Sequence, residues 1–139
     1  MLDAGRSAAY RRPAHEPPKR ERAAPRRGST RVFYPTLFDD PEQRRIFDKQ
    51  CEYPGGIFSI EFKGGKEAAF QFLRNVKIAH SAVSLGGVET LTCHPKSTTH
   101  SGMTSQELAD SGVTDGLVRI SVGIEDWRDL LSDFEQALA

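Results

Sequence analysis

Residues 117–123, with the sequence LVRISVG, decide the fold predicted for this 139-residue chain. Val118, Ile120 and Val122 alternate with other side chains, which is the pattern of a strand with one buried face. Residues 57–62, IFSIEF, alternate in the same way and predict a second strand of this kind. Because each strand has one apolar face, we expect helices to cover that face.

Helical patterns lie between and after these strands. The predicted helices span residues 41–50, 66–76, 104–112 and 125–138. Further strands are predicted to end near residue 34 and to span residues 88–93. The order of these elements predicts an α/β fold, an α+β sandwich in which helices cover one side of a small sheet.

Individual side chains within the helices carry their own predictions. Ile46 and Phe47 are expected to face the core, and Thr104 and Glu107 to form a capping box. The last helix is predicted to begin with two acids, Glu125 and Asp126, at the end where the helix dipole stabilises negative charge. The apolar stripe predicted for the last helix consists of Trp127, Leu130, Leu131, Phe134 and Leu138.

Charge divides the chain near residue 30. Residues 1–30 contain eight Lys and Arg against three acids, whereas residues 31–139 contain eleven against sixteen. The first segment is Arg- and Pro-rich with almost no large apolar residue, so we expect a disordered basic tail. A nucleic-acid-binding arm, a mitochondrial presequence and unselected sequence are alternatives for it. With only Tyr10 able to stack on a base, we expect no nucleic-acid partner.

Composition argues against several classes of protein. No run of about 18 apolar residues is present, and no apolar segment of the kind found in signal peptides lies near Met1. We therefore expect a cytoplasmic protein without a membrane partner. Cys51 and Cys93 are predicted to be reduced thiols. The histidine spacings match no zinc pattern, so neither a metal site nor a catalytic triad is expected.

Two features point to anion binding. Arg119 faces away from the apolar side of its strand, where it needs solvent or an anionic partner, and its planar fork suits a carboxylate. Residues 84–87, SLGG, allow a tight turn that directs backbone amides and a hydroxyl towards one point. The alternatives are a structural ion pair or exposed position for Arg119 and an ordinary turn for the loop.

Four ordered segments together resemble the end of the Cys/Met-metabolism pyridoxal-phosphate enzymes. They are AVSLGGVETL at residues 82–91, HP at 94–95, TTHSG at 98–102 and TDGLVRISVGIED at 114–126. The resemblance covers about residues 31–139, and the family includes cystathionine γ-synthase, cystathionine γ-lyase, methionine γ-lyase and O-acetylhomoserine sulfhydrylase. It implies that residues 31–139 form the substrate-carboxylate-binding, carboxyl-terminal domain of a fold-type I enzyme.

The resemblance also implies roles for individual residues. Arg119 corresponds to the arginine that grips the substrate's α-carboxylate, Ser84 and the Leu85 backbone support it, and Thr99 lines the active site. The implied reaction is that of a carbon–sulfur lyase or γ-replacement transferase of transsulfuration. Its implied substrate is a sulfur-containing or O-acylhomoserine amino acid, and its implied cofactor is pyridoxal phosphate.

The family's cofactor-binding lysine has no counterpart here, since no lysine follows the Ser/Thr-x-x-Lys pattern. No catalytic residue is therefore assigned, and we expect a truncated or frame-shifted gene product that is inactive alone. Family members form homo-oligomers, and a face left apolar should promote self-association. The rivals are a stand-alone amino-acid-binding or interaction module without catalysis and a nucleic-acid adaptor driven by the tail.

Overall fold

A computed structural model describes residues 29–139 of the chain. The predictions for the basic tail, including its nucleic-acid alternative, lie outside the described residues except at its last two positions. Those two positions, 29 and 30, belong to the first strand.

Within residues 29–139, five strands form one mixed sheet in the order β1-β2-β5-β4-β3. Their bounds are β1 Ser29–Phe33, β2 Ile57–Phe62, β3 His80–Ser81, β4 Leu91–Cys93 and β5 Leu117–Ser121. β3 and β4 pair in parallel, and the other neighbours are antiparallel. The strand predicted over residues 88–93 is shorter than expected, and β3 was not predicted.

In the part of the chain that the structure describes, four α-helices accompany the sheet. They are α1 Pro41–Gln50, α2 Gly65–Asn75, α3 Ser105–Asp110 and α4 Trp127–Ala137, with 3-10 turns at Pro35–Leu37 and Pro95–Ser97. Asp40 caps α1 by accepting a hydrogen bond from the Glu42 amide. The predicted capping box of Thr104 and Glu107 is confirmed at the start of α3.

The core lies between one face of the sheet and helices α2 and α4. Val118 and Ile120 of β5 are fully buried there, opposite the apolar side chains of β2. Phe72 of α2 links the layers, with ring centroids 5.2 Å from Phe62 and 5.8 Å from Phe134. The prediction of a small sheet with helices on one side is confirmed.

Two predictions about helix packing are wrong. No residue of α1 is buried, and Ile46 is 40% exposed, because this helix does not lie on the core. In α4, Trp127 and Leu131 are 53% and 42% exposed, so the buried stripe is narrower than its apolar spacing indicated. Helical periodicity identifies an apolar face but not what covers it.

A buried carboxylate fixes the chain between α2 and β3. Asp133 of α4 is 4% exposed and accepts hydrogen bonds from three consecutive amides, those of Lys77 at 2.8 Å, Ile78 at 2.9 Å and Ala79 at 3.2 Å. These bonds satisfy both carboxylate oxygens and three backbone donors at once. They set the position from which β3 and the loop after it start.

Candidate functional site

Arg119 lies at the middle of β5, on the face of the sheet opposite the core. In register it stands between Ser59 of β2 and Cys93 of β4. Its side chain is half-buried. Within residues 29–139 no aspartate or glutamate forms an ion pair with it. Within the described residues, Arg119 therefore does not form the structural ion pair that was the alternative for it.

The guanidinium instead holds a loop through backbone carbonyls. Its Nη2 donates to the carbonyl oxygens of Val83 at 3.0 Å and Ser84 at 2.7 Å. Its Nε is buried and has no hydrogen-bond partner within the described residues. Because a guanidinium has five N–H donors and the two carbonyls occupy only Nη2, donors remain for an acceptor oxygen. A carboxylate fits them, since its oxygens can accept two parallel hydrogen bonds.

The glycine loop, defined as residues 83–87, connects β3 to β4 and is anchored at both ends. The Ala82 amide donates to the Thr92 carbonyl at 2.9 Å, and the Ile124 amide donates to the Val88 carbonyl at 2.8 Å. In the loop, Gly86 has a φ of +74°, a conformation that glycine adopts without strain. The predicted tight turn is thus present beside Arg119.

Ser84 and Leu85 take part differently from what the sequence indicated. Arg119 contacts the carbonyl of Ser84, while the Ser84 hydroxyl makes no hydrogen bond within residues 29–139. The Leu85 side chain is 52% exposed, and its amide has no acceptor among the described residues. A hydroxyl donor and an amide donor of the loop thus have no partners within the described residues.

Thr99 is not joined to this group by hydrogen bonds in the described part of the chain. It lies in an exposed turn, where its Oγ1 is 2.8 Å from Nδ1 of His100. The turn is fixed by His94, whose Nδ1 accepts from the Ser97 amide at 3.2 Å and whose Nε2 is 2.9 Å from the Asp115 carbonyl. The structure therefore joins Arg119 to Ser84 by a hydrogen bond, while Thr99 has no hydrogen bond to either residue in this part of the chain.

A polar contact that the sequence did not predict closes the far end of the loop. Glu125 was predicted to favour the dipole of the last helix, but it accepts from the Thr90 amide at 2.6 Å and the Thr90 hydroxyl at 2.8 Å. Burial raises the pKa of Glu125, but these bonds outweigh it and hold the pKa below its usual value. The partners lie 35 residues apart, so no local pattern could reveal the contact.

The described residues fit a substrate carboxylate better than they fit attachment of pyridoxal phosphate. Lys96 forms an ion pair of 2.8 Å with Asp115, and the Lys66 ammonium lies 5.6 Å from the Phe70 ring centroid. The other lysines of residues 29–139 are exposed at positions 49, 63 and 77. None of these lysines is an enclosed, unpartnered amine of the kind that a Schiff base requires.

Two absences hold for residues 29–139. No helix there is long and apolar enough to span a bilayer. No three His, Cys, Asp or Glu side chains there come together as potential metal ligands.

Comparison with known proteins gives consistent matches. L-methionine gamma-lyase of Fusobacterium nucleatum subsp. polymorphum is 48% identical over 108 residues, covering 78% of this chain and 27% of the relative. The crystal structure of cystathionine gamma lyase from Micromonospora echinospora matches with a TM-score of 0.74 and 37% identity, over 84% of this chain and 30% of that one. The crystal structure of cystathionine gamma synthase from Xanthomonas oryzae pv. oryzae, in complex with aminoacrylate and cysteine, matches with a TM-score of 0.73 and 38% identity. This match covers 80% of this chain and 28% of that one.

The chain spans about a quarter of the length of the curated relatives that it matches. The family model of the Cys/Met metabolism PLP-dependent enzymes matches residues 26–139, most of the chain. This match includes β5 with Arg119 and the glycine loop. The chain belongs to the Cys/Met metabolism family of pyridoxal-phosphate-dependent enzymes.

Proposed function

We propose that residues 31–139 form the domain that binds the substrate's α-carboxylate in a carbon–sulfur lyase or γ-replacement transferase. One observation carries the proposal. Arg119 has no acidic partner among the described residues, its Nε is buried without an acceptor, and its Nη2 is held by loop carbonyls. A guanidinium fixed in this way is ready for an anion and loses little freedom when one binds.

Each residue has a defined part in this proposal. Arg119 supplies the charge and the parallel N–H donors, while the Ser84 hydroxyl and the Leu85 amide donate to the same carboxylate. Thr99 lines the neighbouring wall of the active site. Fixing the carboxylate orients the amino acid, so that the bond to be broken is presented in one direction.

The proposed substrate is a sulfur-containing or O-acylhomoserine amino acid. The names of the relatives support this class, since methionine and cystathionine are the amino acids in them. Pyridoxal phosphate, the family's cofactor, supplies the electron sink when it is bound. The proposal assigns the cofactor to regions of the relatives that this chain does not match, because the described lysines do not fit its attachment.

Calorimetric titration of the full chain with L-methionine tests the proposal, with L-methioninol as the matched control. Methioninol keeps the amine and the thioether but has an alcohol in place of the carboxylate. We expect methionine to bind at least tenfold more tightly, because charge-assisted hydrogen bonds contribute about 1.5–3 kcal/mol. Equal affinities would contradict recognition through the carboxylate.

The rival function, a stand-alone amino-acid-binding module, differs in the expected strength of binding. A module that acts alone needs an affinity near the working concentration of its ligand, whereas a domain of a larger active site needs only a weak one. Sub-micromolar binding of methionine by the full chain would favour the module. Weak binding that requires the carboxylate supports the enzyme-domain proposal.

Self-association is part of the proposal. Several large apolar side chains are more than half exposed, namely Tyr53, Val83, Leu85, Val88, Ile124 and Trp127. Apolar surface of this kind favours association. Sedimentation velocity over a range of concentrations should show oligomers, and a monomer at high concentration would contradict this part.

A further inference from the structure

Ser121 contacts the glycine loop from the same strand as Arg119. Its Oγ lies 2.9 Å from the Gly86 amide, which donates to it. Ser121 is 2% exposed, whereas Gly86 is exposed. A buried serine hydroxyl is therefore the acceptor for the amide of an otherwise exposed glycine.

The spacing of the two residues makes their contacts complementary. Ser121 follows Arg119 by two positions on β5, so their side chains share one face and lie about 6.6 Å apart along the strand. Gly86 likewise follows Ser84 by two positions in the loop. The strand thus grips the loop at two points: Arg119 at the Ser84 carbonyl and Ser121 at the Gly86 amide.

The hydrogen bonds at the two ends of the loop do not do the same work as the bond between Ser121 and Gly86. Before the loop, the Ala82 amide donates to the Thr92 carbonyl. After the loop, the Val88 carbonyl accepts from the Ile124 amide. Among the described residues, the backbone of residues 83–87 forms hydrogen bonds to β5 through the side chains of Arg119 and Ser121. Without the Ser121 hydroxyl, the carbonyls that hold Arg119 would belong to a loop attached to β5 on one side only.

We infer that Ser121 is a positioning residue for carboxylate binding, acting through Gly86 on the carbonyls that orient Arg119. The inference deepens the proposed function and rests on it for the ligand, but the arrangement itself exists without ligand. Ser121 need not touch the substrate. Its effect is to hold the loop in the position in which the Val83 and Ser84 carbonyls accept from the guanidinium.

The test measures amide hydrogen exchange by NMR on the ligand-free full chain, in wild type, S121A, S121C and S121T. Cysteine matches serine in size but is a weak acceptor, whereas threonine retains the hydroxyl. We expect S121A and S121C to raise exchange at Gly86 roughly fivefold or more, the scale of one hydrogen bond. Ala82 and Ile124 should exchange as in wild type, the Arg119 Nε–H resonance should shift, and S121T should restore both readouts.

Two results would overturn the inference. Unchanged exchange at Gly86 in S121A would show that the hydroxyl does not hold the loop. An equal rise at Gly86, Ala82 and Ile124 would show that Ser121 only stabilises the sheet. If S121A does not fold, wild type still decides, since Gly86 must be better protected than Gly87, whose amide has no acceptor within residues 29–139.

Titration with L-methionine then separates this inference from the proposed function. If wild type binds methionine, S121A should bind at least threefold more weakly, on the scale of one weakened hydrogen bond, and S121T should recover the affinity. Unaltered affinity in S121A would overturn the positioning role. If wild type does not bind methionine, the proposed function fails, while the ligand-free exchange rates still decide whether Ser121 holds the loop.

Discussion

Arg119 donates from Nη2 to the backbone carbonyl of Ser84 over 2.7 Å, and the Ser84 hydroxyl is not used in this contact. The guanidinium therefore has two separate functions. One nitrogen fixes the loop, and the remaining donors are available to an anion. Under the proposed function, the Ser84 hydroxyl, which has no partner among the described residues, donates to the same anion.

Replacing Arg119 by lysine should weaken methionine binding. An ammonium has three N–H donors and no planar fork, so it cannot hold two carbonyls and also give a carboxylate two parallel hydrogen bonds. We expect the affinity for L-methionine in calorimetry to fall at least tenfold. The control is Arg128→Lys, because Arg128 is exposed and pairs only with Asp126 and the Trp127 ring. An equal fall in both variants would contradict a specific role for Arg119.

Gly123 should not tolerate a side chain. A Cβ at this position would overlap the Val88 carbonyl oxygen and lie 2.5 Å from Glu125 Oε2. Gly123→Ala should therefore lower the free energy of unfolding in urea by about 1–3 kcal/mol, the usual cost of overpacking. Gly102→Ala is the matched control, since a Cβ there meets nothing within 4 Å. Similar stability of the two variants would show that the loop end can move.

Asp133 should make the stability of the fold depend on pH in the acidic range. Burial raises the pKa of Asp133, but hydrogen bonds from the Ile78, Lys77 and Ala79 amides outweigh it and hold the pKa below its usual value. The folded pKa is thus lower than the unfolded pKa of about 3.9. The stability from this group is present above the unfolded pKa and is lost as the pH falls through the folded pKa.

Asp133→Asn should remove that part of the pH dependence and lower the free energy of unfolding at pH 7 by about 1–3 kcal/mol. The cause is that an amide group offers one acceptor oxygen to three backbone donors. Asp129→Asn, at an exposed position of the same helix, is the control. Urea unfolding at several pH values measures both effects, and the same pH profile in wild type and Asp133→Asn would refute the assignment.

Pyridoxal phosphate should not form a saturable lysine adduct with the described domain. The Lys96 ammonium is engaged by Asp115, and Lys66 lies over Phe70. In an absorbance titration with pyridoxal phosphate, the signal should change slowly and without saturation, as expected for reaction with exposed lysine amines. A band that saturates at one equivalent and disappears in a single lysine variant would contradict the assignment of cofactor binding to other regions of the relatives.

The sequence predicted the sheet core well, because alternation in β2 and β5 has one physical cause. Phe62 and Val118 are buried on the face that their period of two indicated. The bounds of α1 were also predicted, since Asp40 followed by Pro41 is a strong start signal. Local chemistry was sufficient in these cases.

What the sequence could not predict depends on contacts between distant parts of the chain. β3 has two residues, too few for any period, and Asp133 is joined to amides more than 50 positions away. Arg119 was identified from its place in an apolar strand and from the family resemblance. Its carbonyl partners were not, because every residue has a carbonyl and only the fold selects which ones it meets.

The most direct measurement is the NMR signal of the Arg119 Nε–H group, followed during titration of the full chain with L-methionine and then with L-methioninol. Methionine should shift this signal together with the amides of Leu85 and Gly86, and methioninol should shift them far less. An Arg119 signal that does not move at methionine concentrations that shift other residues would contradict carboxylate binding at this site.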